Sequence, residues 1–251
     1  MARTRSRRSL VARIGIIVIA VVILGGTAFA LYAADFYHAD EAALEALSPD
    51  DDDGVLVQEM DDGSIAFSPA DPKAGLIFYP GGKVQAEAYA PLLRECAGRG
   101  ITCVLTKPLC NLAILDRNMA DGIAEQFPDI DTWIIGGHSL GGVVAAMYAD
   151  GHPGEFDGIV FLAAYPSVDL SDFDGSALTV YGSNDGVLNR EKYEKSKDNF
   201  PAETRTIEIA GGNHSGFGCY GDQKGDGAAT ISPEEQQSQT VNAIAELASA
   251  A

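Results

Sequence analysis

The stretch from Trp133 to Gly142 reads Trp-Ile-Ile-Gly-Gly-His-Ser-Leu-Gly-Gly, a short apolar run that leads into a serine set between glycines. Residues Gly137 to Gly141 fit the Gly-x-Ser-x-Gly pattern, in which a strand turns sharply into a helix and lifts the serine hydroxyl clear of the sheet. The turn constrains the fold tightly, because the residues two before and two after the serine must be small enough for two backbones to pass. Val143 to Ala149 continues with good helix formers, so strand, turn and helix come in the required order. A glycine-rich turn with a chance serine is the competing reading of the five residues alone, and these flanks argue against it.

From residue 75 onward, strand-like runs alternate with helical ones. The expected elements are strand Leu76–Tyr79, helix Ala86–Gly98, strand Ile101–Thr106, helix Asp116–Phe127 and strand Thr132–Ile135, followed by the helix after Ser139. Strands Gly158–Ala163 and Leu178–Tyr181, helix Arg190–Asn199, strand Arg205–Ile209 and a last helix opening at Ser232 complete the series. Repeated β then α with short connections predicts a mostly parallel central sheet with helices on both faces. Ser232-Pro233-Glu234-Glu235 marks the last helix start, with serine as N-cap, proline at the first helical position and Glu235 at the capping-box position. Ahead of this series, Val55–Met60 and Ile65–Phe67 flank Asp61-Asp62-Gly63-Ser64 and predict an antiparallel hairpin on the sheet's edge.

A serine hydroxyl is a poor nucleophile at neutral pH and needs a histidine to take its proton, with a carboxylate to orient that histidine. Asp185 follows one strand in Gly182-Ser183-Asn184-Asp185-Gly186, and His214 follows the next in Gly211-Gly212-Asn213-His214-Ser215-Gly216. The chain order is thus Ser139, Asp185, His214, as expected when the serine sits in such an elbow. Asp185 alone could be a turn former and His214 alone a surface residue, but their shared strand-end placement and order make them the candidate acid and base. His38, His138 and His152 lie elsewhere in the pattern. The oxyanion needs two backbone N–H donors: Leu140, just after the nucleophile, is one by position, and Gly82 or Lys83, after the strand ending Phe78-Tyr79-Pro80, is the other. Gly81-Gly82-Lys83 lacks the rest of a phosphate-binding loop.

With these motifs the chain resembles the α/β hydrolases, and among them the compact serine hydrolases grouped with dienelactone-hydrolase-like and lipase-like members. The resemblance spans about residues 55 to 250. It implies an α/β-hydrolase fold, with Ser139 as nucleophile, Asp185 as acid and His214 as base. Dienelactone hydrolases themselves use a cysteine nucleophile, so Ser139 points away from that substrate. Only residues 164–177 separate two successive strands where many members insert a cap, so no large cap domain is expected. The glycine-rich segment from Ser215 to Gly227 is the remaining candidate to fold over the site.

The N-terminus adds an address. Ile14 to Ala34 holds no charged residue, and its 21 positions would span about 30 Å as a helix, the thickness of a bilayer core. Arg3, Arg5, Arg7, Arg8 and Arg13 precede it and Asp35, Asp40 and Glu41 follow, so the positive-inside rule leaves residues 1–13 in the cytoplasm and exports the rest. An uncleaved anchor over residues 14–34 is the preferred reading, and a signal peptide cleaved near Ala28-Phe29-Ala30, giving a secreted protein, is the alternative. Ser6-Arg7-Arg8-Ser9-Leu10 is a faint twin-arginine pattern. Residues 35–54, with Asp50 to Asp53, read as an acidic stalk ahead of a catalytic domain at 55–251, in preference to a calcium loop.

Past position 13 the chain carries 12 basic against 36 acidic residues, a net charge of −24 that repels nucleic acid and anionic headgroups. No cofactor and no metal site is expected, and nothing specifies an oligomeric state. Of the four cysteines, Cys96 and Cys103 suit buried apolar positions, while Cys110 and Cys219 follow strands on the catalytic side and are the expected disulfide pair. Together these observations predict an anchored extracytoplasmic serine hydrolase cleaving small neutral carboxylic esters. Acyl transfer, thioester or peptide hydrolysis would use the same machinery, and a non-catalytic cell-envelope binding module would keep only the fold.

Overall fold

A computed structural model describes residues 2–48 and 53–251. The chain divides into two units, residues 1–36 and 37–251. The first is helix α1 (Ala2–Ala34), whose part from Arg13 to Ala34 has a mean hydropathy of 2.7 and is long and apolar enough to cross a membrane or to act as a signal sequence. No acidic residue counters the dipole in its first turn.

In the second unit, helix α2 (Glu41–Glu45) comes first, capped by the Asp40 side chain, which accepts from the Ala43 N–H at 3.0 Å. Tyr37 pairs with Val84, and the Asp40 N–H donates to the Cys219 carbonyl. Residues 37–48 of the segment expected as a stalk thus belong to the compact unit. Most of the aspartate run lies outside the described residues, but Asp53 is placed, and its carboxylate takes two hydrogen bonds from Arg94, at 2.6 and 3.0 Å.

Eight strands form one sheet: β1 (Val55–Glu59), β2 (Ile65–Pro69), β3 (Ala74–Tyr79), β4 (Ile101–Leu105), β5 (Trp133–His138), β6 (Gly158–Leu162), β7 (Ser176–Gly182) and β8 (Thr204–Ile209). Their order is β1-β2-β4-β3-β5-β6-β7-β8, parallel from β4 to β8, with the β1–β2 hairpin antiparallel at one edge as expected. Alternation along β3 divides the core: Leu76 and Phe78 face a cluster with Leu92, Leu93, Val241 and Ile244, while Ile77 and Tyr79 face one with Val144, Ala145 and Phe161. Helices α3 (Ala90–Gly98) and α6 (Pro233–Ala250) therefore cover one face, and α4 (Leu140–Gly151) covers the other. The short α5 (Arg190–Lys195) precedes β8, and Ser232 caps α6 by accepting from the Glu235 N–H at 3.2 Å.

One expected helix does not form. Residues 116–127 are a chain of turns with a short 3₁₀ segment at Ala124–Gln126. Gly122 sits at φ 72°, and the buried Tyr79 hydroxyl claims the backbone, donating to the Arg117 carbonyl at 2.7 Å and accepting from the Ala120 N–H at 3.0 Å. Tertiary hydrogen bonds have replaced helical ones. The expected Cys110–Cys219 bridge is also absent: all four cysteines are free, and Cys219 is buried beside Gln237.

Candidate active site

Parallel strands place their following loops at one edge of the sheet, and the candidate residues come from four of those loops. Ser139 follows β5 with φ 52° and ψ −119°, a conformation that a residue with a Cβ reaches only under strain. Its N–H donates to the Leu162 carbonyl at 2.9 Å, which ties the elbow to the end of β6. The glycines are required by contact with backbone. A Cβ on Gly137 would come within 2.5 Å of the Tyr79 carbonyl oxygen, and one on Gly141 would overlap that same oxygen. The ends of β3 and β5 and the start of α4 thus converge at one point.

Asp185 and His214 meet from the loops after β7 and β8. Nδ1 of His214 is 2.9 Å from Oδ2 of Asp185, with both side chains buried. The other carboxylate oxygen of Asp185 accepts the Val187 and Leu188 amides at 2.9 and 2.8 Å. Burial by itself would raise the pKa of this carboxyl. The His214 hydrogen bond and charge, with the two amides, outweigh burial and hold it below its usual range. It is therefore ionised, and a carboxylate on Nδ1 favours the tautomer that leaves Nε2 as a base. His214 Nε2 is buried with no hydrogen-bond partner among the described residues. Ser139 is half-buried, and its hydroxyl makes no hydrogen bond to that nitrogen.

The two possible oxyanion donors after β3 are separated by their hydrogen bonds. The Lys83 N–H is spent on the Asn111 carbonyl at 2.7 Å, which removes it as a donor. The Gly81 N–H is spent on the Tyr89 hydroxyl at 3.0 Å. Between these anchored neighbours the Gly82 N–H has no protein acceptor among the described residues. Gly82 also lies against Leu140, since an added Cβ would stand 2.8 Å from Leu140 Cδ2. Leu140 opens α4, and the first amides of a helix have no intrahelical acceptor.

Sequence reasoning gave no role to Tyr89, yet it joins this loop to the elbow. Its hydroxyl accepts from Gly81 and lies 2.7 Å from Nδ1 of His138, to which it donates its proton, while Nε2 of His138 is buried without a hydrogen-bond partner among the described residues. The imidazole of His138 packs 4.6 Å from that of His214, centroid to centroid. Burial, then the nearby His214 charge, press the pKa of His138 well below the ordinary histidine value, so it is neutral. The sequence did offer a signal, since a histidine inside the elbow must face the core; Tyr89 looked like any apolar helix residue.

The segment from Ala163 to Gly175 contains no helix, so the expected absence of a cap there holds. Among the described residues no group of three or more His, Cys, Asp or Glu side chains could hold a metal ion.

The sequence model of the alpha/beta hydrolase family matches residues 75–238. Among solved structures, TT1662 from Thermus thermophilus aligns with a TM-score of 0.58 at 16% identity, covering 77% of this chain and 98% of that one. A predicted CIB-like hydrolase from Thermoplasma acidophilum gives 0.55 at 18%, covering 77% and 100%. A dienelactone hydrolase from Anabaena variabilis gives 0.57 at 14%, covering 77% and 97%. At such identities these likenesses speak to the fold alone, and no curated protein matches the sequence significantly. The family match spans more than half of the chain, with the strand order and elbow to agree with it: this chain belongs to the alpha/beta hydrolase family.

Proposed function

We propose that the protein is a serine hydrolase that cleaves small carboxylic esters through an acyl-enzyme on Ser139. The observation that carries this reading is the buried Asp185–His214 pair at 2.9 Å, with its second imidazole nitrogen unpartnered, on the same sheet edge as a serine in strained backbone. In acylation, Ser139 Oγ attacks the ester carbonyl carbon as Nε2 of His214 takes its proton. Ionised Asp185 steadies the imidazolium. The Leu140 and Gly82 amides hold the oxyanion, worth about 3 kcal/mol per donor in comparable sites. Collapse of the tetrahedral intermediate expels the alcohol, which takes the proton from His214. Water then repeats the sequence, with His214 as base and Ser139 as leaving group, and releases the carboxylic acid.

The apolar helix and the arginines before it support an anchored protein with its hydrolase unit outside the cytoplasm. The test is labelling with a fluorophosphonate, followed by turnover of p-nitrophenyl acetate. Wild-type protein should form a Ser139 adduct, and Ser139→Ala should fold, form none and lose on the order of 10⁶ in turnover. Folded wild-type protein that neither labels nor turns over would favour a binding module.

A further inference from the structure

The residues on either side of Asp185 and His214 are all held by one short segment. Asp226 Oδ1 accepts the Gly186 N–H at 3.0 Å and the Gly227 N–H at 2.8 Å, and Oδ2 accepts the Ser215 N–H at 2.8 Å. Gly186 and Ser215 directly follow the acid and the base. The residues that directly precede them, Asn184 and Asn213, donate their side-chain amides to the Ala228 and Gly227 carbonyls, each at 2.9 Å. A Cβ on Gly227 would overlap the Asn184 carbonyl, so this segment lies directly on the acid loop. The glycine-rich stretch is thus a strap across two loops, and among the described residues Asp226 is its one side chain that bonds to both.

We propose that Asp226 is a positioning residue for the hydrolytic site: by accepting one amide from beside Asp185 and another from beside His214, it fixes the spacing at which acid and base meet. This rests on the hydrolase reading above. The chemistry explains the residue type. Both oxygens face N–H donors, so both must be acceptors, and only a carboxylate supplies two. An asparagine keeps one acceptor and turns its own donors toward the other amide. Beyond the last ladder pair, Gly182–Ile209, the Ser183 and Asn184 amides still bond across to the Ile209 and Gly212 carbonyls, at 2.9 and 2.8 Å, whereas Gly186 and Ser215, past the acid and the base, are joined across the loops through Asp226.

The test compares wild-type protein with Asp226→Ala and Asp226→Asn in three measurements: rate of fluorophosphonate labelling, Tm, and the downfield proton resonance of His214 Nδ1–H, assigned by its loss in Asp185→Asn. Loosening a reacting pair by a fraction of an ångström costs roughly 10- to 100-fold, so Asp226→Ala should label that much more slowly. Its Tm should fall by only a few degrees, and the resonance should broaden. Asp226→Asn should fall between the two. If Asp226→Ala gives no folded protein, the judgement rests on Asp226→Asn, expected to be about 3- to 10-fold slow with a broadened resonance. Labelling within twofold of wild type in the folded variants would overturn the proposal, as would slow labelling with an unchanged resonance, which would mark a role elsewhere. Absence of labelling in the wild type itself would instead sink the hydrolase reading and this one with it.

Discussion

The two halves of the site are held by different forces. Around Ser139 the geometry is steric: glycines at 137 and 141 admit three backbones to one point, and the strain at φ 52° is fixed by what surrounds it. Around Asp185 and His214 the geometry is polar, set by carboxylates and side-chain amides that hold loop backbone. Strain can be imposed only by parts that do not yield, which suits the fixed nucleophile proposed at Ser139. Hydrogen bonds are directional and can be removed one at a time without a clash, which suits a proposed base whose spacing from its carboxylate is to be set. Damage to the first half should therefore appear as lost stability, and damage to the second as lost rate in a protein that still folds.

Removal of the proposed nucleophile itself aside, the largest effect expected from a single change lies in the polar half. Asp185→Asn keeps the shape but loses the charge and favours the wrong tautomer of His214, so turnover should drop on the order of 10⁴ with little change in Tm. Comparable losses in Tm and in rate would erase the distinction between the halves. Next comes Gly141→Ala in the steric half. Its methyl group would strike backbone, which cannot rotate away, so overpacking should cost about 3 kcal/mol and lower Tm by roughly 10 °C in a thermal melt. A variant with wild-type Tm would show that the convergence of β3, β5 and α4 is looser than described.

The smallest effect tests the one polar pair inside the steric half. His138 is neutral when folded because its pKa is pressed well below 6.5, whereas in the unfolded chain it titrates near that value. As pH falls below 6.5 the unfolded state takes up a proton that the folded state refuses. Stability is therefore present above that value and declines below it, with a slope approaching about 1.4 kcal/mol per pH unit. Urea midpoints from pH 7 to pH 5 should show this slope, and His138→Gln should flatten it. An equal slope in the variant would exclude His138 as its source.

How far the sequence could be read follows the same division. The elbow was legible because its glycines are demanded by local backbone geometry, and the strand-end placement of Asp185 and His214 was legible because strand ends are visible in apolar periodicity. The turns at 116–127 were not, since their backbone partner, the Tyr79 hydroxyl, comes from a strand about forty residues away. Tyr89 and Asp226 were missed for a related reason. A tyrosine among apolar helix residues and an aspartate in a glycine-rich loop are ordinary in sequence, and only the fold brings Gly81, Gly186 and Ser215 to them. Likewise, that the Lys83 amide is occupied, and so less suited than Gly82 as the proposed donor, depends on the Asn111 carbonyl from another loop.

The sheet's two margins also differ. One ends in β1 of the antiparallel hairpin and the other in β8, a parallel strand, and each terminal strand pairs with a single neighbour. An open parallel edge invites another chain to add on. Arg205 and Glu208 project from β8 as exposed charges, and Arg205 pairs with Glu246 of α6, so an incoming strand would have to desolvate charge before it could hydrogen-bond. For a strongly acidic chain the like charge of a second copy adds to that barrier. The margin nearest the base loop is thereby protected from runaway strand addition without a covering element.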